Sequence, residues 1–284
     1  RTGLSGLFFS LLIYKKDKKE GPRILALSTA YALCGYVLSY FWVVMWMDAV
    51  VFLPLIILGL WKIITGEKPH LYVFALFITI FSNFYIGFFV CVFLVLFAPV
   101  LYMEAVQKHT VKRRLFRAGI QFAGYSLLSA GMTAVLLLPT LIAVRNSAAA
   151  SDTVPWTSGL SFPFFDFLER FLLHSDPVIR SGLPNVYCGV VMLILIPLYA
   201  LCVKIPLARR AANLAIAFLL YLSMSSPVLN YVWHGMHNTN QIPYRQAFLL
   251  CFLLIYMAAD LFTNYEGVPR STIFFSSGAV LTYL

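Results

Sequence analysis

Three parts of this sequence combine residue types that could do chemistry. The first is Asp48, the one carboxylate in the apolar run "SYFWVVMWMDAVVFLPLIILGL" (39–60). A carboxylate in such a run is either stranded in hydrocarbon, at a cost of about 3 kcal/mol or more, or sits where the chain turns back into water. At a turn it caps the following helix, or it presents a potential general base to a cavity. The second part is "MSSPVLNYVWHGMHNTNQIPYR" (224–245), which gathers Asn230, His234, His237, Asn238, Asn240, Gln241, Tyr244 and Arg245. A guanidinium at a membrane boundary either snorkels to lipid phosphates or grips one phosphate through two parallel hydrogen bonds. The sequence leaves both open. The third part is "HSD", with His174 and Asp176. Together with His234 and His237 these are donors that a divalent metal takes, although the spacing matches no zinc site. Hydrogen bonding to a sugar or phosphate, and plain loop structure, are the other readings. P-loop, GxGxxG, GxSxG and HExxH patterns are absent, so nucleotide-dependent and serine-hydrolase chemistry lose support.

The elements that must position these residues are membrane helices. Hydrophobic residues make up 61% of the 284-residue chain and charged residues 11%, against about 25% charged in soluble domains. Mean hydropathy is +0.84. Such a chain is a polytopic membrane protein. It opens at Arg1 within one apolar run and closes at Leu284 within another, which reads as an internal fragment forming one transmembrane domain over 1–284. Its five cysteines are scattered through apolar runs without CxxC spacing and read as small helix fillers.

The net charge of +10 does not signal nucleic acid here, because sixteen of the 21 Lys and Arg fall between apolar runs, in 15–23, 62–68, 108–117, 204–210 and at Arg270. The positive-inside rule places those segments in the cytoplasm. Two crossings must then separate neighbouring basic segments, with outer turns near Trp46–Asp48 and Ser82–Tyr85. The expected fold is all-α, a bundle of nine or ten crossings over about 2–14, 24–42, 48–64, 69–82, 85–103, 118–141, 185–203, 211–224, 246–262 and 271–284. Two loops remain outside, 142–184 and 224–245. Within the first, "SFPFFDFLERFLL" (161–173) puts Asp166, Glu169, Arg170 and Leu173 on one stripe, as an amphipathic helix in the membrane interface would. Buried charge looks scarce: Glu104 and Asp260 fall near cytoplasmic ends, with no chain of carboxylates for a proton relay.

Several segments resemble the YfhO family of bacterial multi-pass membrane proteins: "YALCGYVLSYFWVVMWMDAVVFLPLIILGL", "SNFYIGFFVCVFLVLF", "GLPNVYCGVVMLILIPLYAL" and "WHGMHNTNQIPYRQAFLLCFLLI". The resemblance covers nearly the whole chain, and "MWMDA" and "HNTNQIPYRQAF" are its most specific parts. It implies similarity to GT-C glycosyltransferases, which work on the outer membrane face and take a sugar from a polyprenyl-phosphate carrier. The implied acceptor is a cell-surface polymer such as teichoic acid. In such folds an early outer loop usually bears an acidic catalytic residue; that loop would precede this stretch, leaving Asp48 as the candidate within it. Arg245 would hold the carrier phosphate, with Tyr244, His234, His237, Asn240, His174 and Asp176 as further substrate-binding candidates. The partners implied are membrane lipid, a polyprenyl-linked donor and the polymer acceptor; no cofactor is assigned, and a divalent metal stays open as the alternative. A transporter or flippase of lipid-linked sugars, and an envelope-assembly factor, are the competing classes.

Overall fold

The apolar runs become helices because a chain in lipid must satisfy each backbone N–H and C=O within its own segment. The computed structural model describes residues 1–17, 21–111, 114–146, 152–157, 159–172, 176–239, 241–268 and 277–278. Among them stand thirteen α-helices and no strand. The expected all-helical membrane bundle is the fold observed.

The centre is α13 (Ala247–Thr263), in which fifteen of 17 residues are buried. It touches α2 (Pro22–Ala32), α3 (Gly35–Tyr40), α10 (Met192–Leu201) and α11 (Leu207–Ser225). A second group packs α4 (Val44–Ile64) against α1 (Thr2–Asp17), α5 (His70–Ser82) and α6 (Phe84–Gln107). Gly59 sets the α4–α5 approach: a Cβ there would lie 2.5 Å from the Tyr72 backbone nitrogen. Pro54 lies inside α4 and has no N–H for the Val50 carbonyl. The fully buried Tyr31 hydroxyl of α2 donates to that carbonyl at 2.7 Å, so a neighbouring helix satisfies the group that the proline frees.

Three helices, α4, α6 and α11, are long and apolar enough to cross a membrane, while α5, α10 and α13 are apolar but shorter. Some expected spans are broken. The run 24–42 divides at Leu33–Cys34, where the chain at Tyr187 crowds against Gly35. In 185–203 only Met192–Leu201 is α-helical. The run 118–141 is two helices, α7 (Leu115–Met132) and α8 (Ala134–Arg145), bent by 77°. At the bend the Thr133 hydroxyl donates back to the Ala130 carbonyl at 2.7 Å, an alternative partner that interrupts the helical ladder. No residue of α8 is buried. The expected span 271–284 lies almost wholly outside the described residues.

The bundle has two unlike ends. At the basic end, the ends of α1, α4, α6 and α13 meet the start of α11. Lys108 pairs with Asp17, and lies over the Trp61 ring. The expectation of scarce buried charge fails there. Glu104 Oε1 lies 2.9 Å from Lys16 Nζ and 2.9 Å from Lys108 Nζ, while its Oε2 accepts from the Tyr256 hydroxyl at 2.5 Å. Arg209 donates through Nη2 to both Asp260 oxygens, at 2.9 and 2.8 Å. Single residues at helix ends look isolated in the sequence, but the fold collects Lys16, Lys108 and Arg209 against Asp17, Glu104 and Asp260. Isolated buried ions would be costly, whereas this set is mutually neutralising.

Candidate functional site

The opposite, polar-loop end carries most of the residues singled out by the sequence. The turn before α4 lies at 41–43 rather than at 46–48, so Asp48 falls in the second turn of α4. Its carboxylate takes the Arg1 guanidinium, Nε to Oδ1 at 2.5 Å and Nη2 to Oδ2 at 3.3 Å. Both oxygens are thus engaged, and the pair joins the start of α1 to the start of α4.

Arg245 precedes α13 and faces α4 and α6. Its guanidinium lies over the rings of Trp46 and Tyr85, 5.4 and 5.2 Å from their centroids. Nε donates to the Ile242 carbonyl at 3.2 Å and Nη2 to the Gln241 carbonyl at 3.0 Å. Among the described residues no carboxylate lies within ion-pair distance of it. Arg245 is therefore a cation fixed by neutral dipoles and π faces, with its charge uncompensated.

The approach to Arg245 differs from what Pro243 suggests. A residue before proline favours extended backbone, yet Ile242 has φ 55°. A β-branched residue in the left-handed region is strained, at a cost of about 1–3 kcal/mol. The conformation is held by Ile242 N–H donating to the Arg180 carbonyl at 2.8 Å. It also brings the Gln241 and Ile242 carbonyls to the guanidinium.

The polar loop contains a short helix, α12 (Pro227–Trp233), with Pro227 at its first position and the Ser226 hydroxyl accepting from Leu229 N–H. His234 ends it. Its ring Nδ1–H donates to the Asn230 carbonyl at 2.7 Å, while Nε2 is buried without a hydrogen-bond partner. The ring meets Phe89 edge-on at 5.2 Å. Burial, reinforced by the charges of Arg245 and His237, pushes the His234 pKa down to about 4. This imidazole is neutral at physiological pH.

His237 has a different setting, because it pairs with Asp152 of the other long loop, Nδ1 to Oδ2 at 2.5 Å. Asp152 Oδ2 also accepts from Asn238 N–H at 2.9 Å, and Asn238 Nδ2 donates to the Thr153 carbonyl at 3.0 Å. These bonds, the backbone one first, hold the Asp152 carboxyl below its ordinary pKa. Sequence reasoning missed Asp152, one of four acids in a long loop, with its partner 85 residues away.

Family-level comparison decides the chain's kinship: the model for the bacterial membrane protein YfhO matches residues 1–284. The chain belongs to the YfhO family. No curated protein and no solved structure matches it. In this YfhO-family protein Tyr244 lies with its ring 5.5 Å from that of Phe162, on the way to a second feature. That feature is an apolar cavity of about 530 Å³ between α9 (Phe164–Glu169), α10, α11 and α13, lined by residues including Phe167, Phe171, Leu193, Phe218 and Leu254.

The predicted interfacial helix 161–173 is shorter than expected and differently turned. Only Phe164–Glu169 is helical, and Leu173 lies outside the described residues. Arg170 does not join a solvent stripe. It is buried, donating to the carbonyls of Pro184 and Asp176 and to Asn185 Oδ1. Phe164 and Phe165 are exposed, whereas Phe167 is buried against Tyr221 and Phe171. Asp176 is exposed and engaged through its carbonyl, on the side of the loop held by Arg170. The structure brings Arg245, His234, His237 and Tyr244 to one end. His174 and Asn240 lie outside the described residues, and among the described residues no three His, Cys, Asp or Glu side chains converge on a metal position.

Proposed function

We propose that this protein transfers a sugar from a polyprenyl-phosphate carrier to a cell-surface polymer, such as teichoic acid, on the extracytoplasmic face of the cell membrane. The observation that carries the reading is Arg245, a cation without a carboxylate partner among the described residues, clamped over Trp46 and Tyr85 at the polar-loop end. With the basic end in the cytoplasm, that end faces outward. A sugar phosphate leaving group gains negative charge as its bond to the sugar breaks, and a pre-positioned guanidinium stabilises that charge. The apolar cavity behind Tyr244 and Phe162 supports a prenyl tail, and α9 borders it. Tyr244 supplies a polar contact for the sugar, with Asn240 and His174 on the two long loops. The acceptor hydroxyl needs a base. Asp48 lies at this end, but it would first have to release Arg1.

The test is Arg245→Lys in the full-length protein. An ammonium keeps the charge but cannot donate to two carbonyls and a phosphate in one plane. Loss of one charge-assisted contact costs about 1.5–3 kcal/mol, or roughly tenfold to a hundredfold in transfer. The variant is expected to express normally and to lose most glycosylation of the surface polymer. Near-normal glycosylation would return Arg245 to a lipid-anchoring role.

A further inference from the structure

We infer that His237, oriented by Asp152, is the general base that takes the proton of the acceptor hydroxyl; the assignment rests on the transferase reading above. Three observations point to this pair rather than to Asp48 or His234. Asp48 has both oxygens on Arg1. His234 is shut away: its free nitrogen has no solvent access. His237 is neither blocked nor buried, with 37% of its side chain exposed.

The geometry fixes which nitrogen works. The Nδ1 of His237 faces a carboxylate oxygen at 2.5 Å, so Nδ1 carries the hydrogen and Nε2 keeps its lone pair. Asp152 is itself held in register, because the same oxygen accepts from Asn238 N–H and the Asp152 carbonyl accepts from the Tyr231 hydroxyl at 3.2 Å. Asp152 is thus a positioning residue and His237 the group that meets the acceptor. The His234 ring lies 6.0 Å from that of Tyr85, over which the Arg245 guanidinium sits, so the loop that carries the base runs beside the phosphate-binding cation. The acceptor, a hydrated polymer, reaches His237 from water. The lipid donor reaches Arg245 from the bundle.

The step balances without a further reactant. The acceptor O–H gives its proton to His237 Nε2 while its oxygen bonds to the sugar's anomeric carbon. The bond from that carbon to the phosphate oxygen breaks, and its electron pair leaves with the lipid phosphate beside Arg245. The imidazolium then returns its proton to water.

The experiment uses the full-length protein in liposomes, with a panel of radiolabelled undecaprenyl-phosphate hexoses and N-acetylhexosamines as donors and poly(glycerol phosphate) as acceptor. Donor binding is measured separately by retention of label on the protein without acceptor. His237→Ala should bind donor as the parent does, lose about a hundredfold or more in transfer, and regain part of it with added imidazole. Asp152→Asn should lower the transfer rate at unchanged donor KM, and Asp152→Glu should restore part of it. Clamping of the loops alone would instead impair donor binding and would not respond to imidazole, and that result overturns the assignment. A His237→Ala protein that transfers at the parent rate overturns it too, while leaving the transferase reading intact. Absence of transfer by the parent protein with every donor removes both.

Discussion

Replacing Glu104 with Gln is the sharpest test of how the basic end is held together. The substitution keeps the shape of the side chain and an oxygen for the Tyr256 hydroxyl, but removes one negative charge. That charge serves Lys16 and Lys108 at 2.9 Å each and Arg209 at 3.8 Å. The three cations do not suffer equally. Arg209 keeps Asp260, and Lys108 keeps Asp17 and is 22% exposed. Lys16 has no exposed side-chain surface and, among the described residues, no other carboxylate, only the Tyr256 hydroxyl and ring. At an effective dielectric of about 20, one pair near 4 Å is worth roughly 4 kcal/mol, and breaking a buried pair costs about 3–5 kcal/mol. Glu104→Gln should therefore lower the unfolding free energy by about 3–5 kcal/mol, nearly all of it the stranding of Lys16. Denaturant unfolding in detergent micelles, followed by tryptophan fluorescence, measures it. The Lys16→Met, Glu104→Gln double variant should be more stable than Glu104→Gln alone, because methionine fills the stem's volume without a charge. A Glu104→Gln protein within about 1 kcal/mol of the parent, or a double variant at or below the single one, refutes the reasoning.

Other expectations follow from the same structure. Cysteines placed at Trp42, Thr157 and Met236 should react with a membrane-impermeant thiol reagent in intact cells, and those at Glu67 and Thr110 should not; the reverse pattern, or a uniform one, breaks the two-ended architecture. The His234 value of about 4 lies below the ordinary histidine range, so the unfolded chain binds more protons between about pH 6.5 and about pH 4. Its contribution to stability is complete above that window and falls as pH drops through it, by up to about 3 kcal/mol. His234→Phe should flatten this slope in denaturant titrations at a series of pH values, and an unchanged slope would assign the dependence elsewhere. Ala217→Trp, which fills the apolar cavity, should impair transfer from long-chain polyprenyl donors far more than from short-chain analogues; equal losses would remove the tail-binding role.

What the sequence made legible is whatever composition and charge alternation control. Basic segments between apolar runs marked the basic end, where Lys16, Lys108 and Arg209 gather, and the turn around Ser82–Tyr85 falls at Asn83, whose side chain caps α6 by accepting from Ile86 N–H. The candidate residues of 224–245 were legible as a polar cluster, and Arg245 does sit at the start of α13. Long-range pairings were not legible. Asp152 meets His237 across 85 residues and Lys16 meets Tyr256 across 240, and nothing local distinguishes such partners from solvated side chains. Local preference also misled where tertiary contacts prevailed. Ile242 adopts φ 55° despite the following proline, because the Arg180 carbonyl and Arg245 hold it there. Arg170 turns inward because the Asn185 side chain and two carbonyls await it.

The separation in sequence of the charges at the basic end has a consequence for biosynthesis. Lys16 leaves the ribosome early in this stretch, Glu104 and Arg209 follow, and Asp260 and Tyr256 come last. Until α13 is inserted, Arg209 lacks the carboxylate that binds it through two hydrogen bonds, and Lys16 lacks the hydroxyl that bridges it to Glu104. Arg209 must therefore wait without that pair near the membrane surface, where water still reaches it, and settles only when Asp260 arrives. The electrostatic match works as a completion check on insertion. A chain stalled before residue 260 presents an arginine without its carboxylate pair at a helix start, a feature that tells an unfinished bundle from a finished one.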